Sequence, residues 1–293
     1  MASITDQPNC YVEAIHTNCP GIEIHSARLE THDGEFNDIL IVNDDLVFRF
    51  PRYADAIPAF LREIQLLPKL KDYLPLPIPA PLYFSGIVSE PGKVFMGYPL
   101  IHGRPLYREV MNGIADKEVL QELARQLAGF LSALHGLTPA MLDLEISTPN
   151  MPDWVRTFYA EVQEHLFPFM RSEACHALSE HFKNYFNHPV LQTYHPALIH
   201  GDFGGSNILI DGNRISGILD FSSMEYNDPA LDIASVSTYG EPFFSYFCQF
   251  YALSEPLRER ACFYRGIFAL EEALFGWKKG DKKAFESGME QYV

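Results

Sequence analysis

Apolar and polar positions change rhythm once along this chain, near residue 101, and each side predicts its own kind of layer. Residues 1 to about 20 are expected to form a short helix that ends at Pro20-Gly21. From Ile22 to Phe50, three strand-like runs are separated by turn sequences at His32-Asp33-Gly34 and Asn43-Asp44-Asp45. Phe60, Ile64 and Leu67 then recur on one face of a helix over 55–72. The four prolines between Leu74 and Pro81 require an extended segment. Strands at about 81–88 and 93–99 complete a small, mostly antiparallel sheet with one packed helix.

Beyond His102-Gly103 the period becomes helical. A short helix over Leu106–Asn112 precedes a long one over Lys117–His135, whose stripe is Leu120, Leu123, Leu127, Phe130, Leu131 and Leu134. Further helices are predicted at 152–170, 173–187, 229–238, 241–252, 256–277 and 281–291. The fold class is therefore α+β, with domains at 1–101 and 102–293.

One strand pair interrupts the helical half. In LIHGDFGGSNILIDGNRISGILDF, apolar runs at Ile208–Ile210 and Ile215–Leu219 flank a turn at Asp211-Gly212-Asn213. Such a hairpin brings Asn207 and Asp220 to the same end of two paired strands, with Asp202 one loop away. An amide and a carboxylate side by side suit Mg²⁺, which prefers oxygen and keeps waters and phosphates as its other ligands. A carboxylate outside the metal's reach is free to take a proton from an attacking hydroxyl. Taken singly, each of these residues is more often a turn former; the ordered set is what points to phosphoryl transfer.

The sheet half supplies matching candidates. Arg49 alternates with Phe48 and Phe50, and Glu63 lies on the following helix. A cation on a central strand, paired with a helical carboxylate, would position nucleotide phosphates, and Arg does so bidentately. The competing expectation is an edge-strand Arg reaching water, with Arg52 as the substitute. The turn Gly34-Glu35-Phe36-Asn37 is either a phosphate loop or an ordinary hairpin. At Tyr98-Pro99-Leu100-Ile101, a purine could bond the carbonyl of Pro99 and the backbone of Ile101.

Composition narrows the classes. With 47% hydrophobic and 20% charged residues the chain is an ordinary globular protein. A formal charge of −16 argues against nucleic acid as a partner and is compatible with a cationic small molecule. Five cysteines without a C-x-x-C pair read as free thiols. The N-terminus shows no signal peptide, and no apolar run is long enough to span a membrane. The expectation is a cytoplasmic monomer with no membrane contact.

These residues resemble the aminoglycoside phosphotransferase family, a branch of the protein-kinase-like fold, and most closely its 2''-phosphotransferases. The resemblance rests on VFRFPR, LPLPIPAP, LAGFLSALH, HGDFGGSNILI, ISGILDF, DPALDIA, YGEPFF and FALEEALFG. It implies two lobes, a small antiparallel-sheet N-lobe and a larger, mainly helical C-lobe. It also implies transfer of the γ-phosphate of ATP or GTP to a hydroxyl of an aminoglycoside antibiotic, giving resistance. By position, Asp202 would be the catalytic base, Asn207 and Asp220 the Mg²⁺ ligands, and Ser206 a loop neighbour facing the nucleotide. Asp232 would support the catalytic loop from a helix.

Three departures stand out: Arg49 replaces the family's usual Lys, Glu241-Pro242 follows Tyr239-Gly240 in place of paired acids, and LDFSS replaces LDFG. Arginine at the first of these positions is shared with the related macrolide phosphotransferases. For a polycationic acceptor, Glu241, Glu271, Glu272 and Asp153 are available carboxylates, with Tyr239, Tyr264 and Trp277 as aromatic walls. Glu272 matches the family's FAL-x-E position. Against this, Glu271 and Glu272 fit a solvated helix face, and Trp277 fits core packing. Rival readings are a kinase for a macrolide, with Phe243, Phe244, Phe247 and Phe268 as an apolar pocket, a kinase for a peptide antibiotic or metabolite, and a non-catalytic binding module.

Overall fold

A computed structural model describes residues 7–30, 37–86, 90–143 and 148–293. The chain divides into two compact units, Met1–Tyr107 with Gly205–Met224, and Arg108–Gly204 with Glu225–Val293. The first begins with α1 (Gln7–Asn18) and the strands β1 (Ala27–Glu30), β2 (Asn37–Val42) and β3 (Leu46–Pro51). It continues through α2 (Ile57–Leu70), β4 (Tyr83–Phe84), β5 (Met96–Pro99) and β6 (Arg104–Pro105).

The five-stranded antiparallel sheet runs β1-β2-β3-β5-β4, so β3 is central. Tight reversal between β2 and β3 places Asn43 and Asp44 at φ 56° and 55°. Asn and Asp tolerate that left-handed region, which explains the turn signal. Strand alternation sends Phe48 and Phe50 into a core with Tyr11, Ile15 and Phe95, leaving Arg49 on the opposite face. On α2 the buried positions are Ile57, Phe60, Glu63, Leu66, Leu67 and Leu70, so the stripe includes a carboxylate. The Gly34-Glu35-Phe36 turn lies outside the described residues.

The second unit carries α3 (Arg108–Asn112), α4 (Lys117–His135), α5 (Pro139–Leu142), α6 (Met151–His165), α7 (Ser172–Asn187), α8 (Pro189–Gln192) and β7 (Ala197–Ile199). Asp116 caps α4 by accepting from the amides of Glu118 and Val119, and its predicted apolar stripe is buried. Asp153, one of the candidate acids, is tied up at the start of α6, where it accepts from the Asn150 amide nitrogen at 2.7 Å.

The hairpin forms as expected, from β8 (Ile208–Asp211) and β9 (Arg214–Ile218), and it clusters with the first unit. Its two-residue turn holds Gly212 at φ 57°, where a Cβ is disfavoured. Strand β8 also pairs with β6, and Leu106 N donates to Ile208 O at 2.8 Å.

The chain then adds β10 (Glu225–Asn227), which pairs with β7, and the helices α9 (Ala230–Ser237), α10 (Phe243–Phe250), α11 (Glu255–Arg265), α12 (Phe268–Lys279) and α13 (Lys282–Met289). A single helix over 256–277 is not what forms. The Gly266 amide closes α11 on the carbonyls of Cys262, Phe263 and Tyr264. Its missing side chain leaves room for His181, which a Cβ would meet at 2.8 Å.

Helices α12 and α13 pack through Gly288, whose Cβ would stand 2.4 Å from Ala269 O. Backbone cannot yield there as a side-chain tip can, so Gly288→Ala is expected to destabilise the fold by about 1–3 kcal/mol. Denaturant unfolding checks this.

Candidate active site

Within the first unit, four of the sequence-selected residues converge. Pairing of Ile208 with Ile218, and the Leu219 N to Asn207 O bond of 2.8 Å, sets Asn207 beside Asp220. Asp220 has φ 57°, an uncommon backbone state for a residue with a Cβ. Its Oδ1 accepts from Ser222 N at 3.3 Å and from Ser222 Oγ at 2.7 Å. The serine that replaces a glycine in LDFSS thus ties down the carboxylate.

Arg49 is buried at 3% exposure, so it does not reach water, and Arg52 instead pairs with Asp38 near the surface. Its Nη1 donates to Glu63 Oε1 at 2.7 Å, and its Nη2 stands 2.8 Å from Asp220 Oδ1. That second approach is an ion-pair contact at hydrogen-bond distance. Phe221 N also donates to Glu63 Oε1, at 3.0 Å.

One guanidinium therefore bridges two carboxylates, which a point-charged Lys could not do with the same fork. Burial pushes the Asp220 carboxyl up, but the Arg49 charge and the Ser222 bonds outweigh it and hold it below its ordinary value. Burial raises the Glu63 carboxyl, and the neighbouring Arg49 only partly offsets this. Among the described residues, no group of three or more His, Cys, Asp or Glu side chains could hold a metal ion. The adjacent amide and carboxylate of Asn207 and Asp220 do fit Mg²⁺, because both present oxygen and two protein ligands are usual for it.

The purine candidates lie on the same unit. Pro99 ends β5 opposite Leu46, Leu100 N donates to Asp45 O at 2.7 Å, and a Cβ on Gly217 would meet Ile101 at 2.7 Å. Ser206 is exposed just before Asn207.

In the second unit, a cavity of about 270 Å³ is lined by Asp202, Glu271, Ser235, Thr238 and Phe268. Asp202 is exposed, and its own amide donates to His200 Nδ1 at 3.3 Å. Burial, and then the Asp202 charge, push the Glu271 carboxyl up to about 7. A larger groove of about 510 Å³, lined by Arg171, His181, Arg265 and Tyr292 among others, contains none of the sequence-selected residues. Carboxylates belong to the smaller one.

The raised Glu271 value carries a stability consequence. A carboxyl whose folded pKa lies above its unfolded 4.5 favours folding below that value, and the contribution is lost as pH rises through about 7. Glu271→Gln is therefore expected to melt higher than the parent at pH 8 and no higher at pH 4. Melting temperatures across that range check it.

The remaining acceptor candidates are placed differently. Glu272 is half-buried on α12 next to Glu271, and Glu241 is exposed ahead of a cis bond to Pro242. Tyr239 is buried at 4% exposure, edge-on to Phe243, so it packs the interior and does not face a solute. Tyr264 is fully buried and donates to Asp228 at 3.2 Å. Trp277, expected in the core, is 44% exposed and stacked on His165 at 3.9 Å. Phe243 and Phe247 are core side chains, leaving Phe268 as the aromatic on the cavity. Ser235 and Thr238 were not singled out from sequence, although their three-residue spacing along the end of α9 puts both on one face.

Asp232 is fully buried on α9 and takes the amides of His200 and Gly201 at 2.8 and 3.0 Å, one on each carboxylate oxygen. Gly201, with φ 79°, turns the backbone immediately before Asp202. The support expected of Asp232 is thus delivered through backbone. Among the described residues no helix is long and apolar enough to cross a membrane.

Comparison with known proteins gives the family and the fold. The phosphotransferase enzyme family's model matches residues 31–264. Viomycin phosphotransferase of Streptomyces vinaceus is 28% identical over 276 residues, 90% of this chain and 92% of that protein. The structure of the GDP and kanamycin complex of APH(2")-IIIa superposes with a TM-score of 0.88 at 26% identity, covering 96% of each chain. The GDP complex of wild-type aminoglycoside 2'-phosphotransferase-IIIa gives 0.87 at 27% identity, over 97% of this chain and 96% of that one. The fold is the protein-kinase-like one, an antiparallel-sheet region followed by a helical region.

Proposed function

The chain belongs to the phosphotransferase enzyme family, and from that premise we propose that it moves the γ-phosphate of ATP or GTP to a hydroxyl of an aminoglycoside antibiotic, giving resistance. The observation that carries the acceptor class is the pair of carboxylates, Asp202 and Glu271, on one cavity with Phe268 as an apolar wall. Polyamine acceptors need carboxylates close to the reacting hydroxyl, and an aromatic face adds cation–π attraction. Glu272 and Glu241 extend the acidic set along the same unit.

Asp202 accepts the hydrogen bond of the acceptor hydroxyl and takes its proton as the phosphorus–oxygen bond forms. Asn207 and Asp220 would hold Mg²⁺, which supplies neutralising charge for the phosphate oxygens when bound. Arg49, steadied by Glu63, presents a fixed cation to the same oxygens. Backbone at Pro99 and Ile101 receives the purine, and the Ser206 backbone lies toward the nucleotide. Alignment and electrostatics contribute most of the rate in such transfers, so Asp202 needs no raised pKa.

The relative from Streptomyces vinaceus supports a second acceptor, viomycin. One panel separates the readings: kanamycin, viomycin and a macrolide, each scored for phosphate incorporation with ATP and with GTP. Incorporation into kanamycin, and raised resistance to it in an expressing host, is the expected result. Label in viomycin or the macrolide but not kanamycin would retire the acceptor class and keep the transfer. Label in none, with no nucleotide turnover, would favour a binding module.

A further inference from the structure

His135, the last residue of α4, places Nε2 3.0 Å from Asp232 Oδ2, and its Nδ1 lies 2.7 Å from the hydroxyl of Tyr251, which follows α10. We propose that Tyr251 is a positioning residue for the transfer, acting through the His135 contact with Asp232 on the backbone under Asp202. Asp202 acting as the base, as proposed above, is the premise.

The chemistry of the link to Asp232 fixes its direction. Burial pushes the Asp232 carboxyl up, but the His135 bond, the charges of His135 and His200, and the His200 amide hold it below its ordinary value. An ionised carboxylate only accepts, so the proton between the two groups sits on His135 Nε2. Nδ1 faces the Tyr251 hydroxyl, a group that can accept from it or donate to it. Burial and then the charges of Asp232 and Asp228 keep that phenol protonated.

Its ring is locked edge-on to His135 at 5.8 Å and stacked on Phe247 at 5.4 Å. The hydroxyl therefore holds the imidazole in the orientation that aims Nε2 at Asp232. Without that hold the ring can turn Nε2 away from the carboxylate. Asp232 would then have fewer donors holding the oxygen that fixes the His200 amide. Because Gly201 has a left-handed backbone and no side chain, its position depends on that grip. Misplacing a reacting group by about 1 Å can cost on the order of 10²-fold in rate.

Tyr251→Phe removes only the hydroxyl; His135→Leu removes both nitrogens; His135→Gln restores an N–H able to reach Asp232. The expected result is a kcat lower by about tenfold in Tyr251→Phe and by about a hundredfold in His135→Leu, with nucleotide KM unchanged. His135→Gln should recover most of the loss. The double variant should be no slower than His135→Leu, since both substitutions cut one path. Amide exchange of the peptide carrying His200 and Gly201 should quicken in step.

Parental kcat per folded molecule, unchanged exchange in that peptide, or additive losses would each overturn the proposal. If His135→Leu does not fold, Tyr251→Phe and His135→Gln decide by the same readouts. Asp202→Asn, carried alongside, keeps the two ideas apart. Parental turnover there would remove the base, while exchange of the loop tests the positioning independently.

Discussion

Asp202→Asn is expected to lower kcat by about 10²–10⁴-fold, the usual contribution of a positioned general base, while nucleotide still binds. The substitution keeps size and polarity but removes the only strong acceptor the side chain offers to a hydroxyl proton. Asp202 is exposed, and its loop is held by the amides of His200 and Gly201 on Asp232. Stability should therefore change by no more than about 0.5 kcal/mol, as at most surface positions. Steady-state phosphate transfer and a melting curve on the same sample separate the two effects. Turnover at the parental rate would leave the fold intact and the base unassigned.

Arg49→Met is expected to damage both stability and nucleotide binding. The guanidinium lies between Glu63, whose side chain is fully buried, and Asp220. Removing one partner of such a buried pair costs about 3–5 kcal/mol, because the other charge is left uncompensated. The loss should be larger at pH 8 than at pH 6. Without Arg49, burial and the Asp220 charge raise the Glu63 carboxyl further against the Phe221 amide alone, so at lower pH it keeps its proton and the stranded charge disappears.

Denaturant unfolding at both pH values reads this directly. The double variant Arg49→Met with Glu63→Leu should regain most of the stability, since an apolar pair can replace a buried ion pair at little cost. It should not regain nucleotide affinity. Recovery of both would make Arg49 purely structural. Arg49→Lys should retain the contact to one carboxylate only, giving an intermediate loss.

Element types were largely legible along the chain because the patterns were local. The stripe Leu120 to Leu134 is periodic enough to name α4 to the residue. The apolar runs around Asp211-Gly212-Asn213 define the hairpin and hence the neighbouring of Asn207 and Asp220. The last two strands of the sheet were longer in expectation than in fact, since among the described residues β4 and β5 keep two and four positions of the 81–88 and 93–99 runs. The break between α11 and α12 was invisible, because Gly266 reads as a tolerated helical glycine until His181 is seen against it. Aromatic side chains misled most. Tyr239 and Trp277 each stand beside a glycine, yet one is interior against Phe243 and the other exposed against His165.

Residue identity and short-range spacing were enough to select the set on which the proposed chemistry rests: a loop carboxylate, an amide five residues on, and a second carboxylate at a hairpin's end. Those separations lie within a loop and two paired strands, where covalent geometry leaves few arrangements. Tertiary structure alone decided what compensates each buried charge. Arg49 with Glu63 and Asp220, and Tyr251 with His135 and Asp232, join residues up to 171 and 116 positions apart. Desolvation acts on whatever happens to be adjacent in space, and no local pattern along the chain records which residue that will be.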